Sequence, residues 1–151
     1  DDSNKKDEKW YINTNQSYAF ADNKVTASYG SATAKAHADT TWTAQDETDG
    51  KGTEGEVKEE GLKTKLIRTV KAQAAGELNI TDWYITRKAE KNTAIPSAIT
   101  THRDAVRSKQ AAMETAITNA SDTPALETLY TYTRQEDGSV TRPLGELPIL
   151  E

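Results

Sequence analysis

Between Thr81 and Arg107 the sequence leaves few folds open. It reads Thr81-Asp82-Trp83-Tyr84-Ile85-Thr86-Arg87-Lys88-Ala89-Glu90, breaks at Asn92-Thr93, and resumes as Ala94-Ile95-Pro96-Ser97 ahead of Arg103-Asp104-Ala105-Val106-Arg107. Thr81 or Asp82 suits a helix N-cap, where a short side-chain oxygen accepts from an otherwise orphaned N–H. Pro96 suits the first turn of the next helix, where its missing N–H is no loss. Apolar periodicity flanks this break on both sides. Upstream, Leu62, Leu66, Val70, Ala74 and Leu78 recur every four residues with Ile67 beside them, and Lys58, Lys63, Lys65, Arg68 and Lys71 stay mostly off that stripe. This predicts an amphipathic helix over 57–78, weakened at its ends by Gly61 and Gly76. Downstream, Ile99, Val106, Met113 and Ala120 recur every seven residues, and His102, Ala105, Ala112, Ala116 and Ile117 widen the stripe. A helix over 96–119 follows, with Ala positions that permit close approach of another helix. The 83–91 stretch is a short linking helix, with Trp83 and either Ile85 or Ala89 expected inward. The reading is a helical hairpin over 56–131.

The core available to such a hairpin is small. Leu, Ile, Val and Phe total 22 of 151 residues, below the roughly 20% at which disorder becomes a concern. A net charge of −5 and nine Trp plus Tyr residues argue for a folded chain. A thin core suits a protein completed by a partner or by copies of itself. The same net charge argues against a nucleic-acid binder, which needs a basic surface. No apolar run approaches the roughly 18 residues of a membrane span, and no signal peptide is read at the start. The chain opens on Asp1 rather than Met, which leaves processing or trimming open. Without cysteine, disulfides and thiolate metal sites are excluded.

Residues 1–9, seven of them charged, read as a flexible tail. A small β-meander is expected over 10–45. Trp10-Tyr11-Ile12 and Tyr18-Ala19-Phe20 flank Asn13-Thr14-Asn15-Gln16 as a hairpin; Ala21-Asp22-Asn23-Lys24 turns the chain into a third strand at Val25–Gly30. Trp10, Ile12, Tyr18, Phe20 and Val25 could share one face of it. The Ala-rich segment 31–38 suits a short helical turn, Thr40–Thr43 a further strand, and 46–55 a flexible loop. Pro124–Tyr130 reads as a short helix. Residues 130–133 and 139–141 form a hairpin around Asp137-Gly138, and Pro143–Glu151 forms an extended apolar tail lying across a groove on this chain or a neighbour. The fold class is α+β: an N-terminal β-meander, an amphipathic helical hairpin, a C-terminal β-hairpin and an extended tail over 132–151.

The residues carry little catalytic signal. His37 and His102 lie far apart without a metal-ligand pattern. The carboxylates of 46–55 lack the spacing of a calcium loop. There is no glycine-rich phosphate loop and no nucleophile elbow. Arg87, Lys88, Arg103 and Arg107 form a basic helix face paired with Glu90 and Asp104. Neither cofactor, metal nor catalytic residue is assigned. An exposed aromatic set of Trp10, Tyr11, Tyr18 and Trp42 would make a carbohydrate-binding module.

The Asp82-Trp83…Arg87, Pro96 and Arg103…Arg107 segments together resemble a module of small tailed-bacteriophage proteins, namely tail proteins and tail-fibre assembly proteins. The likeness runs over Leu62–Tyr130, and Trp10-Tyr11-Ile12 with Tyr29-Gly30 is similar to the short β start of marine phage relatives. At its end the chain departs from the pattern: Gly145-Glu146-Leu147-Pro148 stands in place of an Asp-Trp-Pro ending. The resemblance implies a non-enzymatic structural protein that contacts other virion proteins, at the tail or tail fibres, in a particle assembled in the host cytoplasm. Self-association is a further possibility, and a tail-fibre assembly chaperone that leaves before maturation is the alternative. The expected partner interface comprises Trp83, Tyr84, Ile99, Val106, Met113, Leu144, Leu147, Ile149 and Leu150, with neither nucleic acid nor membrane as partner.

Overall fold

The computed structural model describes residues 4–150. Within them the chain divides into two compact units: 4–62 with Ser121–Glu127, and Lys63–Ala120 with 128–150. The architecture is α+β, with five helices and eight short strands among the described residues.

In the first unit four of the six strands stand about where the sequence places them, but they pair differently. In order come β1 (Tyr11–Ile12), β2 (Ser17–Ala21), β3 (Lys24–Ser28), β4 (Thr33–Ala34), β5 (Thr40–Thr41), helix α1 (Ala44–Thr48) and β6 (Val57–Glu59). They form three separate two-stranded antiparallel ribbons, β1–β4, β2–β3 and β5–β6. The expected hairpin between residues 10–12 and 18–20 is therefore corrected. Asp22 and Asn23 both adopt positive φ, 50° and 59°, the two-residue turn whose twist suits a hairpin. That turn closes β2 onto β3, with Phe20 opposite Val25 and Tyr18 opposite Ala27. β1 is left to pair with β4, Tyr11 opposite Ala34, so the helical turn expected over 31–38 is instead partly strand.

Two further corrections fall in this unit. Val57–Glu59 pairs with β5 rather than opening a helix. Gly61 sets that boundary: its N–H donates to Asp39 Oδ1 at 2.7 Å, and its Cα lies so close to the Ala38 backbone that a Cβ would collide with it. Residues 4–9 are also tied down rather than free. Asn4 exchanges two hydrogen bonds with the Tyr29 backbone, and Asn13 does the same with Lys6. The first three residues of the expected tail lie outside the described residues. The expected loop over 46–55 begins inside α1, whose capping box joins Thr43 and Asp46; Lys51 then pairs with Asp49 at 2.8 Å. Helix α5 (Thr123–Tyr130) starts in this unit, with the Asp122 carboxylate accepting from Ala125 N–H. Thr123 Oγ1 donates to the Lys35 carbonyl.

The second unit is organised by two long helices, α2 (Leu62–Asn79) and α4 (Ser97–Asn119), joined through α3 (Asp82–Lys91). Lys63 Nζ donates to the Thr118 carbonyl, Lys71 pairs with Glu114, and Arg103 reaches the Leu78 carbonyl. One position rises as the other falls, so α2 and α4 run antiparallel. Their predicted stripes are buried: Leu66, Val70 and Ala74 on α2, and Ile99, Val106, Met113 and Ile117 on α4. Pro96 precedes α4, and Asn92 ends α3 in the left-handed conformation. After α5 the chain forms β7 (Thr133–Arg134) and β8 (Val140–Thr141), paired around Asp137-Gly138.

The face that α3 turns inward differs from expectation. Trp83 is 51% exposed and Ile85 is exposed too, whereas Thr81 is buried and Tyr84 and Arg87 are half-buried. Thr81, Tyr84 and Arg87 are three residues apart and so share a side. The cause is Arg103, read from sequence as part of a surface basic patch but buried here. Its Nη1 donates to the Leu78 carbonyl (2.8 Å) and Thr81 Oγ1 (2.7 Å) and pairs with Asp82 at 2.8 Å. Thr81 occupies the cap position, but its hydroxyl donates to the Leu78 carbonyl instead of capping α3.

Candidate protein-binding site

The C-terminal segment forms the wall of a groove in the second unit. A turn at 142–145 directs it: Gly145 N–H donates to the Arg142 carbonyl, and Gly145 holds φ at +70°, a region that favours glycine. Leu144 is the anchor, 2% exposed, with its N–H on the Leu129 carbonyl. Arg142 organises the polar side. Its guanidinium lies 5.2 Å from the ring centres of both Tyr130 and Tyr132, its Nη2 meets Glu146 Oε2 at 2.8 Å, and its Nε donates to the Gly145 carbonyl. Tyr132 donates its hydroxyl to Glu146 Oε1 at 2.7 Å. Both Glu146 oxygens are thus engaged, and this hydrogen bond pushes the pKa of the Tyr132 hydroxyl above its usual value.

Beyond this cluster, Leu147, Pro148 and Ile149 face Gln73 and Glu77 of α2 and Met113 of α4 across a groove of about 700 Å³. Gln73 and Glu77 stand one helical turn apart and flank the Val70–Ala74 stripe. The tail thus lies on this chain, one of the two placements left open by its sequence; Glu151 lies outside the described residues.

Of the expected interface residues, the structure brings Met113, Leu147 and Ile149 together at the groove. Ile99, Val106 and Leu144 are buried in the chain's own core, which corrects their reading as interface; Met113, on the same α4 stripe as Ile99 and Val106, is buried too but also lines the groove. Leu150 is partly exposed. Trp83 and Tyr84 do not line the groove; their rings stack at 3.7 Å, with the Arg87 guanidinium 4.7 Å from the Trp83 ring. Sequence reading missed Gln73, Glu77, Arg142 and Glu146. The spacing of Gln73 and Glu77 beside the apolar stripe is the one signal that could have found the first pair.

The aromatics of the expected sugar platform are divided among other tasks. Trp10 is buried. Tyr11 donates to Glu127 Oε2 at 2.7 Å. Trp42 is half-buried against Gly52, with Lys58 Nζ 4.7 Å from its ring. Of the four, only Tyr18 is largely exposed. On β2–β3, Tyr18, Phe20, Val25 and Ala27 share one face, and the first three are 68%, 71% and 59% exposed. Among the described residues no three His, Asp or Glu side chains are grouped to hold a metal ion, and no helix is long and apolar enough to cross a membrane.

No protein-family model, curated protein or solved structure matches the chain.

Proposed function

We propose that this chain is a non-enzymatic structural protein of a tailed-phage virion, holding other virion proteins at the tail or its fibres. The phage assignment rests on the resemblance carried by Asp82-Trp83…Arg87, Pro96 and Arg103…Arg107. The contact role rests on one observation, the exposed apolar face of β2–β3. A two-stranded ribbon is marginal by itself in water, and one that presents Tyr18, Phe20 and Val25 to solvent is suited to being covered by another protein. The C-terminal groove supplies a second apolar surface of the same kind.

Protein mass spectrometry of purified particles, paired with light scattering on the isolated chain, tests this reading. The chain is expected in stoichiometric amount in the finished particle. A chain that is a stable monomer and absent from particles would overturn it; absence coupled with capture of an unassembled fibre protein would point to the chaperone alternative.

A further inference from the structure

The groove carries features that specify its occupant. Its apolar surface is Met113, Leu147, Pro148 and Ile149. Three charged groups border it, and two are already spent on each other, since Arg142 is bound to Glu146 and Glu146 also accepts from Tyr132. The third, Glu77, has no hydrogen-bond or ion-pair partner among the described residues, and neither does the Gln73 amide one turn before it. The backbone N–H groups of Leu147 and Ile149, in the segment that borders the groove, are likewise without a hydrogen bond among the described residues. The groove therefore offers apolar area and one uncompensated negative charge, bordered by a segment with two unpaired main-chain donors.

We propose that this groove docks an extended segment of a partner protein that carries a lysine or arginine between aliphatic residues. The aliphatic side chains cover Met113 and Leu147, the cation meets Glu77, and carbonyls of the segment accept from Leu147 and Ile149 N–H, as when a peptide adds along a free edge. An acidic segment would meet Glu77 with like charge and is disfavoured by the same geometry. This inference rests on the reading of the chain as a protein that works through protein contacts.

Met113 is the single methionine of the chain, so its methyl group labelled with carbon-13 gives one signal, on the groove floor. The full chain is titrated with acetyl-Val-Leu-Lys-Leu-Val-amide and with its counterpart carrying Glu in place of Lys. The lysine peptide is expected to move the Met113 signal saturably, with the Glu peptide weaker by about fivefold or more. Glu77→Gln, a near-isosteric change at a partly exposed helix position, is expected to remove most of that preference while circular dichroism stays unchanged. No saturable shift, equal response to both peptides, or a preference that survives Glu77→Gln would overturn the proposal. These results are separable from the virion reading: a chain present in particles that fails to bind the peptide loses only this groove assignment, and one that binds it but is absent from particles keeps the groove and loses the virion.

Discussion

Arg103 is the residue on which the helical break depends. It joins the Leu78 carbonyl near the end of α2, the cap residue of α3 and the first turn of α3 to the second turn of α4. A cation at the C-terminal end of a helix satisfies carbonyls that have no partner in the helix itself. Asp82 is about half exposed, so the ion pair is partly screened and the hydrogen bonds to Leu78 and Thr81 matter more. Arg103→Met should lower stability by roughly 2–3 kcal/mol, the range for hydrogen bonds to a charged group. Urea unfolding should show a lower midpoint with an unchanged slope. Arg103→Lys should recover only part of this, because an ammonium cannot reproduce the planar fork of a guanidinium. Glycine is equally specific at position 61. Gly61→Ala should destabilise the first unit through collision with the Ala38 backbone, by an amount in the overpacking range of about 1–3 kcal/mol, read as a lower thermal midpoint. The sequence shows an Arg at position 103 among other cations, but nothing in its neighbours distinguishes a buried Arg from an exposed one.

At the scale of elements, the helices are legible and the strand pairing is not. A stripe repeated over four or five turns names a helix and its buried face together, as at Leu66–Ala74 and Ile99–Ile117. Strands of two residues carry no such redundancy, and the partner of Tyr11–Ile12 lies beyond the whole β2–β3 hairpin. The inward face of α3 is not legible in the sequence, because side-chain hydrophobicity favours Trp83, while the Arg103 hydrogen bond to Thr81 is set by tertiary structure. The groove was half legible: the apolar tail is visible at Leu144–Leu150, but its wall on α2 comes from residues about seventy positions earlier. The short helix α1 offers a pH test. Hydrogen bonds from Thr43, side chain first and then backbone, hold the pKa of the Asp46 carboxyl below its usual value, and Lys51 and Gln45 do the same for Asp49. A carboxyl lowered on folding contributes stability that is fully present above its unfolded pKa, here 3.8, and is lost as pH falls through the lowered folded value. Acid should therefore open α1 only below about pH 4, read as loss of amide-exchange protection at Glu47 and Asp49. Thr43→Ala should weaken that protection at neutral pH as well.

At the scale of the whole molecule, folding and assembly should be separable. Tyr18 and Phe20 are largely solvent-exposed, so Tyr18→Ser with Phe20→Ser should leave unfolding within about 0.5 kcal/mol of the parent chain. The same pair should reduce incorporation into particles, scored by mass spectrometry of particles made with the variant chain. Core changes invert the pattern: Val106→Ala should cost about 1–3 kcal/mol of stability through the lost burial and the cavity left behind. The most direct test of the central claim is a cryo-EM reconstruction of the source particle at side-chain resolution. Density for this chain is expected at the tail or fibres, with a neighbouring protein seated against Tyr18, Phe20 and Val25. A particle lacking the chain, or containing it with that face open to solvent, would overturn its assignment as a virion contact protein.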